Sequence, residues 1–365
     1  MKITYTFETI ECGGAEQLIL NVCREIKLSY PAYEIELIVL RKVVNDLESN
    51  FREIDVPVKF LDINQNSTKA TRFFRLFSAL RHSKPDIIHN HAGTLDRDYM
   101  FIAWLAGVKK RFFTVHNMDQ KYTKRALFNY RIAAFFANRI IAVTHNAKKF
   151  YLSNHFYPDN ITVIYNCASF KYAPEKPRTI DLEKDTIQLI NIGAFRIQKG
   201  QLYLVRAMKI LESSGLKFHL SIYGADRFNY KKVLVEEIEK LKISNISLMG
   251  ESREIKQKLL CSDIFIGSSI KEAAPLVLLE ALTTGTPAIV TDIPAHREIM
   301  EPIGEKIIVP PQNPEEIAEA ILKLAQNKIL YEKMATEELK RSRDFTLESC
   351  AANHIALYNS EKMPH

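Results

Sequence analysis

The sequence predicts an α/β chain of two domains, each built on a parallel sheet. Three observations carry this. Short apolar runs with strand character alternate with helical patterns along nearly the whole chain, the order that builds βαβ units. A length of 365 residues suits two domains of ordinary size. The alternation also starts afresh after a polar, proline-containing stretch at residues 171–185, the best linker candidate. We therefore expect one domain at 1–170 and a second at 171–345, with a last helix, about 346–359, packing back onto the first.

Composition narrows the classes. Apolar residues make up 47% of the chain, enough for a core in each half, and no short repeat or low-complexity segment occurs. Five widely spaced cysteines without a C-x-x-C pair indicate neither a disulfide framework nor a zinc site, and a reducing cytoplasm is expected. The first residues break into polar positions too early for a signal peptide, and no run of 18 apolar residues suggests a membrane span. The net charge of +7 lies entirely in the first half: residues 1–170 hold 23 Lys+Arg against 16 Asp+Glu, and residues 171–365 hold 27 against 27. A basic face there suits an anionic membrane, a phosphorylated acceptor or nucleic acid, or it is simply a solvated surface. No recognised nucleic-acid motif is present, and no such partner is expected.

In chain order, Lys2 to Phe7 reads as a strand turning through Cys12-Gly13-Gly14-Ala15-Glu16 into a helix with Leu18, Ile19, Val22, Cys23 and Ile26 on its apolar face. The two glycines permit close approach of a ligand, and a tight strand-to-helix turn needs them equally. Strands at Glu34 to Leu40 and near Val58 to Leu61 follow. Residues 67–84 form a basic amphipathic helix with Phe73, Phe74, Leu76, Phe77 and Leu80 among Lys69, Arg72, Arg75 and Arg81. Residues 121–139 repeat that mixture. Both segments fit contact with an anionic membrane surface, or core-packed helices with a wet basic face.

The strand Ile87-Ile88-His89 ends at Asn90-His91, and Arg111 to Val115 ends at His116-Asn117. His91 and His116 thus fall at the carboxyl edge of a parallel sheet, where ligands bind, and are candidates for contacts with substrate hydroxyls. A satisfied structural histidine is the plainer alternative for each. Asp96-Arg97-Asp98 forms a D-x-D triplet without supporting carboxylates, and no metal is expected there.

The second half opens with strand Ile187 to Ile192 and the loop Gly193-Ala194-Phe195-Arg196-Ile197-Gln198-Lys199-Gly200. Arg196 and Lys199 follow a strand end, where two cations can neutralise a diphosphate, although a charged surface loop is also possible. Strands at Phe218 to Tyr223 and Ile246 to Met249, the latter ending at Gly250, alternate with helices. Then comes Ser268 to Thr291, SSIKEAAPLVLLEALTTGTPAIVT. Glu272 lies in the loop after strand Ile264 to Gly267, and Glu280 lies inside the following helix, which starts around Pro275 and ends at Gly285-Thr286-Pro287. Amides near Ala274, Leu276 and Val277 at that helix start suit an anion such as a diphosphate.

Taken together, these motifs resemble the retaining glycosyltransferases of family 4. Gly13-Gly14-Ala15-Glu16 resembles the family's first-loop motif, His116 stands at the place of its active-site histidine, Gly193 to Gly200 resembles its phosphate loop, and Glu272 to Glu280 its Glu-x7-Glu motif. The resemblance covers nearly the whole chain and implies the GT-B fold, two facing Rossmann-like domains with parallel sheets and a cleft between them. It implies a nucleotide-diphosphate sugar as donor and a glycan or lipid-linked acceptor, with no metal and no cofactor. The donor would be held by Gly193, Gly250, Ala274, Leu276, Val277 and Glu280. Glu280 would take the ribose hydroxyls and Glu272 hydroxyls of the sugar, while Arg196 and Lys199 would steady the diphosphate. His116 would meet the transferred sugar, with Gly13, Gly14 and His91 contacting the acceptor or the diphosphate. Three positions depart from the pattern: Ala194 stands where an arginine is frequent, Ala225 where a second glycine is frequent, and Ala273 replaces a frequent glycine. A noncatalytic subunit that binds sugar nucleotides and a GT-B-type epimerase are the alternatives.

Overall fold

In the computed structural model the chain divides into two compact units, Met1–Ser169 with Leu347–His365, and Phe170–Thr346. The structure describes residues 1–360 except 12, 45, 64–65, 92–95, 117–122, 154–159, 172–173, 175–176, 182–183, 253 and 305. Cys12, Asn117 and the first two residues of the segment 121–139 therefore lie outside the described residues, as does part of the expected linker.

The first unit runs β1 (Lys2–Phe7), α1 (Gly14–Ser29), β2 (Glu34–Val39), α2 (Glu48–Glu53), β3 (Val58–Phe60), α3 (Lys69–Ser83), β4 (Ile87–Asn90), α4 (Asp96–Leu105), β5 (Lys110–Val115), α5 (Lys124–Phe136), β6 (Arg139–Ala142), α6 (His145–Ser153) and β7 (Ile161–Val163). Its seven strands lie in the order β3-β2-β1-β4-β5-β6-β7, and the pairs are parallel. The two basic helices begin at threonine caps: Thr68 accepts from the Thr71 amide and Thr123 from the Ala126 amide. Such caps satisfy an otherwise open helix-start donor and contribute about 1 kcal/mol each.

The second unit runs β8 (Ile187–Ile192), α7 (Gln201–Leu211), β9 (Phe218–Tyr223), α8 (Lys231–Leu241), β10 (Ile246–Leu248), α9 (Ile255–Leu260), β11 (Ile264–Gly267), α10 (Leu276–Thr284), β12 (Ala288–Thr291), α11 (Pro294–Met300), β13 (Ile307–Val309), α12 (Pro314–Gln326) and α13 (Lys328–Ser342). Its parallel sheet is ordered β10-β9-β8-β11-β12-β13. The strands carry the core: Leu189, Leu220, Ile222, Ile264, Ile266 and Ile289 are buried against Leu204, Val205 and Met208 of α7 and Ile321 and Leu324 of α12. Helix α10 is apolar on nearly every side, with Leu278 to Thr284 buried, because it is covered by α13 as well as by the sheet. It ends at Gly285, whose φ of +65° is the left-handed conformation that glycine adopts without strain.

The last helix, α14 (Leu347–Asn359), belongs to the first unit, where it packs on α1. Tyr358 meets Tyr5 of β1 hydroxyl to hydroxyl at 3.2 Å, and its carbonyl accepts from Lys110 of β5 at 2.5 Å.

Candidate functional site

Each sheet reverses its strand order once, and parallel sheets of this kind bind ligands in the crevice at the carboxyl ends of the strands there. In the second unit the reversal lies between β8 and β11. The loop 193–200 leaves β8 and the loop 268–275 leaves β11, so topology alone brings the two motifs together. Backbone contacts then fasten them. The Ser268 hydroxyl donates to Lys199 O at 2.8 Å, and the Ile270 amide donates to Gln198 O at 2.8 Å. Gly200 has φ +64°, and a Cβ there would lie 2.0 Å from Ser268 O. A side chain at 200 would therefore push the loops apart.

Lys199 runs across the face left open by Gly193, where a Cβ would stand 3.2 Å from its Cδ and Cε. Its ammonium reaches Glu272 Oε1 at 2.6 Å. The Ser269 hydroxyl donates a short hydrogen bond to the same oxygen. Burial by itself raises the Glu272 carboxyl, but Lys199, His296 and Ser269 outweigh it and hold the group below its ordinary value. His296, at the start of α11, is buried, and its Nδ1 lies 2.9 Å from Thr291 O. Burial lowers its pKa against the opposing pull of Glu272 and of that carbonyl. An ionised carboxylate beside a lysine, at a sheet crevice, is suited to hold a polyhydroxyl group while a cation meets an anion.

The other residues expected here separate into groups. The Arg196 guanidinium sits over the Phe228 ring at 4.5 Å, apart from the Lys199–Glu272 pair. Gly250 lines a cavity of about 370 Å³ at the ends of β9 and β10, with Phe195, Gly224, Asp226, Arg227, Lys231 and Met249 among its walls. Gly224 is required for its own reason, since a Cβ would lie 2.0 Å from Gly193 O. Glu280 is nearly buried in the second turn of α10. The expectation of open amides at that helix start needs correction at one position: the Leu276 N–H donates to Ala274 O at 3.1 Å, because the turn through Pro275 tightens before the helix begins. Ala274, Leu276 and Val277 remain half-buried beside it.

In the first unit the order reverses between β1 and β4. Gly13 and Gly14 open α1 there, and a Cβ at Gly13 would lie 2.3 Å from Glu16 Oε2, so the missing side chain is used by the turn's own glutamate. His91 follows β4 and His116 follows β5, both half-buried, and His91 Nδ1 lies 2.8 Å from His116 Nε2. One ring nitrogen of His91 is thus occupied by another histidine, where the sequence suggested a hydroxyl. Burial, with His354 adding to it, pushes His116 down to about 4, and burial with neighbouring histidines lowers His89 and His91 also. His89 is fixed inside the fold by Tyr358 at 2.6 Å and Thr114 at 2.7 Å. In the D-x-D triplet Asp96 is buried against Asn90, and Asp98 pairs with Arg97 at 2.7 Å. Among the described residues no group of three or more His, Cys, Asp or Glu side chains is placed to hold a metal ion.

Comparison with known proteins decides the family. Residues 12–169 match the family described as Glycosyltransferase Family 4, and residues 173–341 match Glycosyl transferases group 1. The chain belongs to the family 4 glycosyltransferases. This glycosyltransferase is 26% identical over 273 residues, 70% of each chain, to the Escherichia coli UDP-Gal:alpha-D-GlcNAc-diphosphoundecaprenol alpha-1,3-galactosyltransferase. It is 24% identical to the amylovoran biosynthesis glycosyltransferase AmsD of Erwinia amylovora over 228 residues, 60% of this chain and 64% of that one. The crystal structure of Anabaena HepE in complex with UDP and glucose superposes with a TM-score of 0.82 over 98% of this chain and 99% of that one, at 16% identity. The two parallel sheets are those of the GT-B fold.

The sequence reading of this glycosyltransferase missed Ser269, His296 and Phe228. Ser269 stood three residues before Glu272 and was legible as a neighbour on the same loop. His296 lies inside α11, beyond the end of β12 at Thr291, so the strand-end rule that singled out His116 does not reach it. The Phe228 stack left no signal, since it depends on where the loop after β9 folds.

Proposed function

We propose that this glycosyltransferase moves a sugar, with retention of configuration, from a nucleotide-diphosphate sugar to a hydroxyl of a glycan or lipid-linked acceptor in the synthesis of a cell-surface polysaccharide, lipopolysaccharide or glycolipid. The observation that carries this reading is the Lys199–Glu272 pair at the β8/β11 crevice, 2.6 Å apart, in a unit that also forms the cavity at Gly250. The relatives support the donor and acceptor classes: one is named for UDP-galactose and a diphospholipid-linked sugar, and HepE was crystallised with UDP and glucose. UDP-sugars are accordingly the first donors to test.

In this reading the cavity takes the nucleotide, Glu280 the ribose and Glu272 the donor sugar. Lys199 exchanges its carboxylate partner for a diphosphate oxygen, whose charge grows as the glycosidic bond breaks; a cation placed there favours the transition state over the ground state. Arg196 assists from its perch on Phe228. No metal is needed, because the protein supplies the cation itself. In the first unit, His116, Gly13, Gly14 and His91 are the residues proposed to contact sugar and acceptor.

The same reading places the enzyme in the cytoplasm, on the inner face of the membrane. No helix among the described residues is long and apolar enough to cross one. On α5, Lys124, Phe128, Arg131 and Phe135 recur at helical spacing along one exposed stripe, with Phe128 61% and Phe135 74% accessible. Phe74 on α3 and Trp104 on α4 are exposed as well, and neither basic helix contains an acidic residue. Aromatic rings between cations match the interface of an anionic bilayer.

A thermal-shift and turnover panel of UDP-, GDP-, ADP- and TDP-sugars tests the assignment. A ligand of the native state raises the unfolding midpoint. The reading expects stabilisation by one nucleotide class and slow hydrolysis or transfer from it. Binding without any turnover across the panel identifies a noncatalytic subunit, and conversion of the free nucleotide sugar without an acceptor identifies an epimerase.

A further inference from the structure

The histidine pair at the β4 and β5 strand ends carries information about proton placement. Two neutral imidazole nitrogens 2.8 Å apart share one hydrogen, which belongs to either His91 Nδ1 or His116 Nε2. The other ends of the rings decide between them. His91 Nε2 is buried without a hydrogen-bond partner among the described residues. If His116 donated, His91 would be left holding its hydrogen on that buried nitrogen. An orphaned N–H is rarer and costlier inside a protein than an unused acceptor. The favoured arrangement leaves His91 Nε2 bare and puts the hydrogen on Nδ1. His116 Nε2 then accepts, and the hydrogen of His116 stands on Nδ1.

The rest of the pocket fixes this arrangement. The His91 ring lies 5.1 Å from the Phe7 ring with planes 12° apart, and its backbone amide donates to Thr6 O at 2.9 Å. The His89 ring, 4.2 Å away, has both nitrogens committed to Tyr358 and Thr114 and has none to offer His91. Burial pushes both rings of the pair toward the neutral state. We propose that His91 is a positioning residue that locks His116 in the Nδ1–H tautomer, so that His116 presents a hydrogen-bond donor to an oxygen of the transferred sugar. Paired in this way His116 has no free lone pair and does not serve as a base. The role rests on the reading of His116 as a sugar contact; the tautomer itself does not.

The test labels the histidines of the full chain with ¹⁵N and reads the imidazole nitrogens by long-range ¹H–¹⁵N correlation at neutral pH. His91→Leu and His116→Ala assign the signals. Both rings are expected as Nδ1–H forms, with Nε2 unprotonated. A hydrogen on Nε2 of either ring overturns the proposal. His91→Asn keeps an amide donor near the position of Nδ1, whereas His91→Leu keeps none. We expect kcat to fall about tenfold further in the leucine variant than in the asparagine variant, the scale of one hydrogen bond, with KM for the nucleotide sugar unchanged. Equal kcat in the two variants contradicts the positioning role. If His116→Ala leaves turnover intact while the wild-type spectrum shows both Nδ1–H forms, the sugar contact is wrong and the tautomer lock stands.

Discussion

Replacing Lys199 with methionine removes the cation from Glu272 while keeping the stem that lies across Gly193. The ammonium is 2.6 Å from Oε1, with side-chain accessibilities of 26% for the lysine and 13% for the glutamate. Stripping one partner from a fully buried pair costs about 3–5 kcal/mol, and an exposed pair is worth about 1 kcal/mol or less. Partial access of water and the remaining Ser269 hydrogen bond place this pair between those limits, at about 2 kcal/mol. For a unit of this size that lowers the unfolding midpoint by about 4–8 °C.

The pH dependence is the sharper readout. Glu272 is depressed in the folded protein, so its contribution is present above the unfolded carboxylate value of about 4.3 and is lost as pH falls through the folded value. Without Lys199, burial dominates and the folded value rises. The contribution then reverses: stability is lost as pH climbs through the unfolded value toward the raised folded one. Scanning calorimetry of both proteins from pH 4 to pH 7 should find the gap widening with pH, and Lys199→Met/Glu272→Gln should close part of it at pH 7. A gap independent of pH, or a variant as stable as wild type at pH 7, refutes the assigned environment. In the same variant kcat should fall by about 10²-fold or more, the scale of losing one group that stabilises developing negative charge.

Three further outcomes are expected. Glu280→Gln should weaken nucleotide-sugar affinity by about 10–100-fold, measured by calorimetric titration, because hydrogen bonds to a charged acceptor exceed those to an amide. Gly193→Ala should displace Lys199 from a Cβ placed 3.2 Å from its stem and lower kcat, with the unfolding midpoint little changed; unchanged kcat removes the geometric role of that glycine. Phe128→Ser with Phe135→Ser should reduce sedimentation with phosphatidylglycerol vesicles, whereas equal sedimentation of the pair variant contradicts the membrane face.

The parts of the site that follow from topology were legible in the sequence. Gly193 to Gly200 and Glu272 lie after β8 and β11, and once strands and helices alternate, the reversal of strand order brings those loops together. Contacts set by register and rotamer were not legible. Nothing in His91 or His116 reveals the β4–β5 register, with Asn90 opposite Phe113, so two histidines suited to a hydroxyl turned out to bond each other. Arg196 and Lys199 look alike in sequence, yet one stacks on Phe228 and the other reaches Glu272. Helix ends shifted where caps decided them: α3 begins after Thr68 and α5 after Thr123, inside the longer basic segments. The first stretch of the first unit ends at Ser169, just ahead of the polar segment that composition marks as the linker, and the unit resumes at Leu347.

The proposed sugar transfer with retention at the crevice between β8 and β11 has a stereochemical signature. The most direct measurement is the anomeric configuration of the product by ¹H NMR, using the donor class found in the panel and a diphospholipid-linked acceptor. An α-linked product is expected from an α-configured donor, formed by wild type and strongly reduced in Lys199→Met. A β-linked product, or equal turnover by the two proteins, would contradict it.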